Sequence, residues 1–147
     1  MRRIAVFNGP NLNMLGRREP ELYGSVDLET INQGLASLCE SHGYQLLARQ
    51  TNAEAELIGW IQECGVETRG VVLNPAAFTH TSIALRDAVL MIAAPVVEVH
   101  LTNTRAREAF RHHSVIADVV WGRIEGLGAI GYDLAVRALI AKDSSSS

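Results

Sequence analysis

Tyr23 follows Arg18 by five residues, inside a segment that runs from Asn8-Gly9-Pro10-Asn11-Leu12 to Arg18-Glu19-Pro20-Glu21-Leu22-Tyr23-Gly24. A phenol works as a base at neutral pH only when its anion is made easier to form. Its ordinary pKa is about 10, so a drop of about 3 units, roughly 4 kcal/mol, is required. A neighbouring cation supplies about 1–3 units. Arg18 would then cover most of the shift, and hydrogen bonds to the phenolate the remainder. Packing of the Tyr23 ring over a sheet is the plainer alternative, and spacing alone does not separate the two.

A second pair stands at Glu98 and His100. Residues two apart on a strand point to one side. A carboxylate beside an imidazole favours the protonated ring and fixes its orientation, which suits a proton donor. The competing reading is a satisfied histidine at a strand end. Arg107 and Arg111 are four apart and would share a helical face. They could bind carboxylate or hydroxyl groups of a small polar ligand, or make ion pairs with residues such as Glu108. Arg105 reads as solvated. His112 and His113 read as surface or subunit contacts, because no partner stands at a metal-ligand offset.

The elements that must carry these groups alternate. Apolar runs predict strands at 3–8, 44–49, 70–74, 95–100 and 119–124. Helical spacing predicts helices at about 27–42, 52–64, 81–93 and 126–141, with a short polar helix near 104–112. Asp27 is a plausible N-cap, Asn52 could cap the second helix, and Gly43 and Gly65 close the first two. Strands alternating with helices imply an α/β fold with a parallel sheet covered on both faces. Five units suggest a flavodoxin-like three-layer arrangement with strand order 2-1-3-4-5. The first, third and fourth strands then end at Asn8/Asn11, at Asn74 with Thr79-His80-Thr81-Ser82, and at Glu98/His100/Thr102/Asn103. These clusters should meet at one sheet edge, the usual place for a ligand.

The bulk numbers bound the rest. The 147 residues fit one domain, expected over 1–143 with a frayed Ser144–Ser147 tail. Hydrophobic residues at 48% and charged residues at 20% argue against disorder. A net charge of −3 gives no broad attraction to nucleic acid or to an anionic membrane. No segment has signal-peptide or membrane-spanning length, so a cytoplasmic protein is expected. Cys39 and Cys64 lack metal or redox spacing and read as buried reduced thiols. Lys142 is the only lysine and lies beside the tail, so a Schiff-base mechanism has essentially no candidate amine.

Gly126-Leu127-Gly128-Ala129-Ile130-Gly131 matches the dinucleotide pattern GxGxxG after a strand, but only one helix follows it. No second half of a βαβ unit and no acidic residue on a later strand exist. Close packing of the last helix is the better account. A phospho-accepting receiver would need acidic residues after the first strand and a lysine ending the fifth. A flavin carrier would need a phosphate loop, which Pro10 opposes because it lacks an N–H.

With these residues assembled, the chain resembles the type II 3-dehydroquinate dehydratases, also called type II dehydroquinases. The resemblance runs from Ile4 to about Leu139. It rests on Asn8-Gly-Pro-Asn-Leu12, Arg18-Glu-Pro-x-x-Tyr23-Gly24, Asn74-Pro75 and Thr79-His-Thr-Ser-x-Ala-Leu-Arg-Asp-Ala88. These are followed by Glu98-Val-His100, Arg107-Glu-x-Phe-Arg111-x-His-Ser114 and Gly126-x-Gly-x-x-Gly-Tyr132. The resemblance implies a hydro-lyase that turns 3-dehydroquinate into 3-dehydroshikimate without metal, organic cofactor or imine. It implies Tyr23 as the base at C2, Arg18 favouring its phenolate, and Asn11 holding a water at an enolate. His100, supported by Glu98, would protonate the departing C1 hydroxyl. Asn74 and the amides of Leu101 and Thr102 would hold the carboxylate, and His80 and Arg111 the ring hydroxyls. Asp87 would reach a neighbouring subunit's site in a dodecamer built from trimers.

Three positions depart from the family pattern. Ala76-Ala77 stands where at least one glycine is usual, implying a tighter backbone approach to substrate. Thr102 replaces the commoner serine, and Trp121 a small residue. The shikimate pathway and quinate catabolism both use this step, and the sequence does not choose between them.

Overall fold

In the computed structural model, which describes residues 1–17, 19, 21 and 26–146, five parallel strands form one sheet. They are β1 (Arg3–Asn8), β2 (Gln45–Gln50), β3 (Thr68–Asn74), β4 (Val96–His100) and β5 (Gly122–Glu125), in the order β2-β1-β3-β4-β5. Four α-helices accompany them among the described residues: α1 (Leu28–Ser41), α2 (Glu54–Gln62), α3 (Ile83–Met91) and α4 (Ile130–Ser145). The α/β class and the 2-1-3-4-5 order expected from the alternation are both present.

Strand alternation divides the core in two. Ile4 and Val6 of β1 point to one face, where they pack with Leu35 of α1 and with Val136 and Leu139 of α4. Ala5 and Phe7 point to the other, with Leu57 and Ile61 of α2 and Leu85 and Val89 of α3. These side chains are almost fully buried, and each Val, Leu, Ile or Phe among them contributes about 1.5–3 kcal/mol by leaving water. Cys39 lies in the first cluster, Cys64 borders the second, and both are unpaired.

Local chemistry sets the ends. Asp27 caps α1 by accepting from the Thr30 amide at 2.9 Å, and Gly43, with φ of 81°, follows its C-cap. Ser82 caps α3 through the Leu85 amide at 3.0 Å. No helix among the described residues is long and apolar enough to cross a membrane.

Two expectations need correction at the C-terminal side. The apolar run from Val119 is not yet strand: Val119 and Val120 donate to the Ile116 carbonyl in a turn, and pack under the α2/α3 face. The chain enters the sheet only at Gly122. The last helix is displaced likewise, starting at Ile130 and running through Ser144 and Ser145 rather than stopping before a frayed tail. Its end is held by the Ser145 and Ser146 hydroxyls, each donating to the Lys142 carbonyl at 2.9 Å.

Candidate active site

Parallel strands bring their carboxyl ends to one edge, and here that edge is polar. Asn8 and Asn74 are register partners at the ends of β1 and β3, and Glu98 of β4 pairs with Leu73. The Gly9 amide donates to the Asn74 carbonyl at 2.8 Å. A Cβ on Gly9 would lie 2.6 Å from the Pro75 carbonyl oxygen, so only glycine lets the loops after β1 and β3 pass this closely.

Glu98 and His100 meet as their spacing required. The His100 ring Nε2 lies 2.5 Å from the Glu98 carboxylate. Glu98 is completely buried. Its oxygens also accept from the Thr79 hydroxyl at 2.5 Å, the Ser114 hydroxyl at 3.1 Å and the Arg123 Nε at 2.8 Å. Burial pushes the Glu98 carboxyl up, but the hydrogen bond and charge of His100, the Thr79 hydroxyl and the Arg123 charge outweigh it, lowering it to about 2. A carboxylate ionised at neutral pH therefore aims the imidazole.

His100 faces a cavity lined also by Leu12, Asn74, Ala76, Ala77, His80, Leu101, Thr102, Arg107 and Arg111. Asn11 lines an adjoining cavity that shares Leu12, Ala76, Ala77 and Arg111 with the first, so the two form one cleft. Asn11, Asn74, His80, His100, Leu101, Thr102 and Arg111 are thus gathered at one place. Glu98 stands behind His100. Asp87 is exposed on α3 and lines neither cavity of its own chain. Arg18 and Tyr23 lie outside the described residues.

Several of these side chains are fixed by bonds the sequence did not announce. The Asn11 backbone, left-handed at φ of 71°, donates its amide to the Asn52 Oδ1 at 2.9 Å. Asn52 therefore does not cap the second helix. That place belongs to Ala53, whose amide donates to the Thr51 hydroxyl at 3.0 Å. Asn74 donates to the Tyr132 hydroxyl at 2.9 Å and accepts from the Ala76 amide at 3.1 Å. The Tyr132 hydroxyl donates in turn to Asn8 Oδ1 at 2.5 Å, and burial pushes its phenol well above the usual range. His80 Nδ1 bonds the His113 carbonyl at 2.8 Å.

The polar helix expected near 104–112 is instead two 3-10 turns, Thr104–Ala106 and Ala109–Arg111. Asn103 accepts the Arg105 amide in the first turn, and Arg107 between them is extended. Its guanidinium donates to the Thr102 hydroxyl at 3.4 Å. Arg107 and Arg111 still line the same cavity, by loop geometry rather than by helical spacing. Arg111 also pairs with Glu108 at 3.2 Å, so the ligand-binding and ion-pair readings are compatible.

The glycine motif proves to be a clamp. The Gly126 amide donates to the His100 carbonyl at 3.2 Å and the Gly128 amide to the Leu101 carbonyl at 3.0 Å. Both glycines have positive φ. Gly131 alone fits the expected helix-packing role, close to Ile124 and Val99. Ala76 is left-handed at φ of 52°, a conformation that a Cβ makes costly and glycine enters freely. Among the described residues, no three His, Cys, Asp or Glu side chains gather in a way that could hold a metal ion.

Missed in the sequence were Thr79, Ser114 and Arg123 as partners of Glu98, Asn52 as the support of Asn11, and Tyr132 as the tie between Asn8 and Asn74. Thr79, Ser114 and Tyr132 lay inside quoted motifs, which was a usable signal. Arg123 and Asn52 carried none.

The family model described as dehydroquinase class II matches residues 2–140. A curated 3-dehydroquinate dehydratase from Halalkalibacterium halodurans is 52% identical over 140 residues, covering 95% of this chain and 97% of that one. Another from Maricaulis maris is 54% identical over 137 residues, covering 93% and 94%. Among solved structures, the type II dehydroquinase from Propionibacterium acnes superposes with a TM-score of 0.91 at 44% identity, covering 96% of this chain and 97% of that one. The type II dehydroquinase from Butyrivibrio crossotus gives 0.91 at 41% identity, covering 94% and 97%.

Proposed function

The chain belongs to the class II dehydroquinase family and is a 3-dehydroquinate dehydratase, and from that premise we propose that it removes water from 3-dehydroquinate by a cofactor-free anti elimination through an enolate. Tyr23 takes the proton from C2, with Arg18 beside it favouring the phenolate. The electron pair released moves into the adjacent carbonyl, and Asn11 holds the water that stabilises the oxygen of this enolate. The enolate then re-forms the carbonyl and expels the C1 hydroxyl. His100 gives that group its proton, so it leaves as water rather than hydroxide. Base and acid act on opposite faces of the ring, which defines the anti course.

Asn74 and the backbone amides of Leu101 and Thr102 hold the substrate carboxylate, and His80 and Arg111 its ring hydroxyls. Asp87, exposed on α3, serves a neighbouring subunit's site in a dodecamer built from trimers. The protein works in the cytoplasm, in the shikimate pathway or in quinate catabolism. One observation carries this reading: a fully buried carboxylate, Glu98, holds the His100 ring at 2.5 Å on the wall of a cleft whose polar lining includes Asn74, His80, Thr102, Arg107 and Arg111. An imine route finds no support, since Lys142 lies over the Trp121 ring at 4.7 Å, near the end of α4.

The test is direct. Purified protein mixed with 3-dehydroquinate should develop the absorbance of the conjugated enone, unaffected by EDTA or borohydride. Inhibition by either reagent overturns the cofactor-free mechanism. No absorbance at any enzyme concentration overturns the activity.

A further inference from the structure

Glu98 has two basic neighbours, His100 and Arg123, and the mechanism uses only one of them. His100 takes chiefly Oε2, whereas the Arg123 guanidinium takes Oε1 through Nε at 2.8 Å, with its terminal nitrogen 3.5 Å from Oε2. Glu98 and Arg123 are register partners on β4 and β5, so their side chains leave the sheet on the same face. Arg123 is partly exposed and comes in from a surface groove shared with Arg86, Arg105 and His113. His100, on the same side of β4 as Glu98, lines the catalytic cleft, which Arg123 does not.

We propose that Arg123 is a positioning residue for the acid step: its charge balances the buried Glu98 carboxylate, so that the imidazolium can release its proton and the neutral ring is still held. This rests on the reading of His100 as the acid given above. The physical reason is a change of charge within the cycle. Before proton transfer, Glu98 faces two cations. Afterwards the imidazole is neutral, and Arg123 alone compensates a carboxylate with no access to water. A buried charge without a partner is expensive. Without Arg123, giving up the proton would strand that charge, and His100 would hold its proton more tightly and donate it less well.

Among the described residues, Arg86 of α3, Arg105, His112, His113 and Asp118 line the groove that Arg123 enters. Glu125 on β5 pairs with Arg123 at 3.2 Å and accepts from Thr104 at 3.0 Å. Arg107 and Arg111 come from the loop after β4, and His80 from the loop after β3. Thr79 and Ser114 contact Glu98 but carry no charge.

The experiment compares full-length wild type, R123Q, R123M and R123K on 3-dehydroquinate across pH. R123Q and R123M should lower kcat about tenfold or more, part of the ~10²–10⁴-fold that a positioned acid contributes, with KM nearly unchanged. The alkaline limb of the kcat profile should move to higher pH by about half a unit to one unit, because the uncompensated carboxylate retains the imidazolium proton. R123K restores the charge and should return the limb toward its wild-type position. Limbs that coincide with the wild type in both neutral variants overturn the proposal, as does a limb displaced in R123K as far as in R123Q. R123M keeps the apolar stem and the β-strand fit should the glutamine variant fail to fold. An inactive wild type would instead overturn the proposed reaction, which keeps the two failures apart.

Discussion

At the scale of single residues, the Glu98–His100 side of the cleft is over-determined. Glu98 has four hydrogen-bonding neighbours, His100, Thr79, Ser114 and Arg123, and its carboxylate cannot rotate without breaking several bonds. Removing one of them should therefore cost less than removing the carboxylate itself. E98A leaves the imidazole unaimed and Arg123 without its buried partner. We expect it to destabilise the protein by about 3 kcal/mol and to reduce kcat more than S114A does, read by chemical denaturation and steady-state kinetics. On the base side, Y23F removes the proposed proton acceptor while keeping the ring. kcat should collapse while substrate affinity holds, and a near-normal rate would remove Tyr23 from its role. Ala76 gives a prediction of opposite sign. Its left-handed backbone at φ of 52° favours glycine, so A76G should stabilise the fold by roughly 1 kcal/mol, seen as a higher melting temperature.

The elements explain why groups far apart in sequence keep fixed distances. α4 serves the cleft as much as the core. Its first turn sends the Tyr132 hydroxyl to Asn8 and Asn74, locking the ends of β1 and β3. The turn before it sends the Gly126 and Gly128 amides to the carbonyls of His100 and Leu101, locking the end of β4. Y132F leaves two buried amides short of a partner, a loss of about 1–3 kcal/mol. Because Asn74 is proposed to hold the substrate carboxylate, KM should rise more than kcat falls. The opposite split would show that Tyr132 supports the acid and not the binding end. Chain order hid this role, since a glycine-rich turn before a last helix looks like a packing device.

For the molecule as a whole, stability is tied to pH through the same carboxylate. The folded Glu98 carboxyl is held at about 2, below its ordinary 4.5. A group depressed in the folded state stabilises it fully above the unfolded value and loses that contribution as pH falls toward the folded one. The stability difference between wild type and E98Q should then be constant from neutral pH to about 5 and shrink between 4.5 and 2, measured by thermal unfolding at each pH. A difference that stays constant through this window would mean that Glu98 does not ionise as its surroundings require. Arg123 ties this titration to the outer groove, so the acid sensitivity of the fold and the efficiency of the proposed acid step should change together in R123Q.

Much of this was legible without coordinates, for a definable reason. Strand and helix periods are local, so the alternation of elements and the polar strand ends followed from the spacing of apolar residues, and the 2-1-3-4-5 order from the flavodoxin-like arrangement that five such units suggest. Glu98 and His100 were legible for the same reason, because two positions on one strand share a side whatever the tertiary structure does. Val119 and Ile130 mark where local reasoning stopped. An apolar run and a helical pattern fix which residues are buried, but the sheet decides at which residue the chain enters it. The partners of Glu98 come from 16 to 25 positions away, and that of Asn11 from 41. No period connects such residues. Only packing two helical layers on a twisted parallel sheet brings them within hydrogen-bonding distance, and with them the bonds that hold the Glu98 carboxylate against the His100 ring.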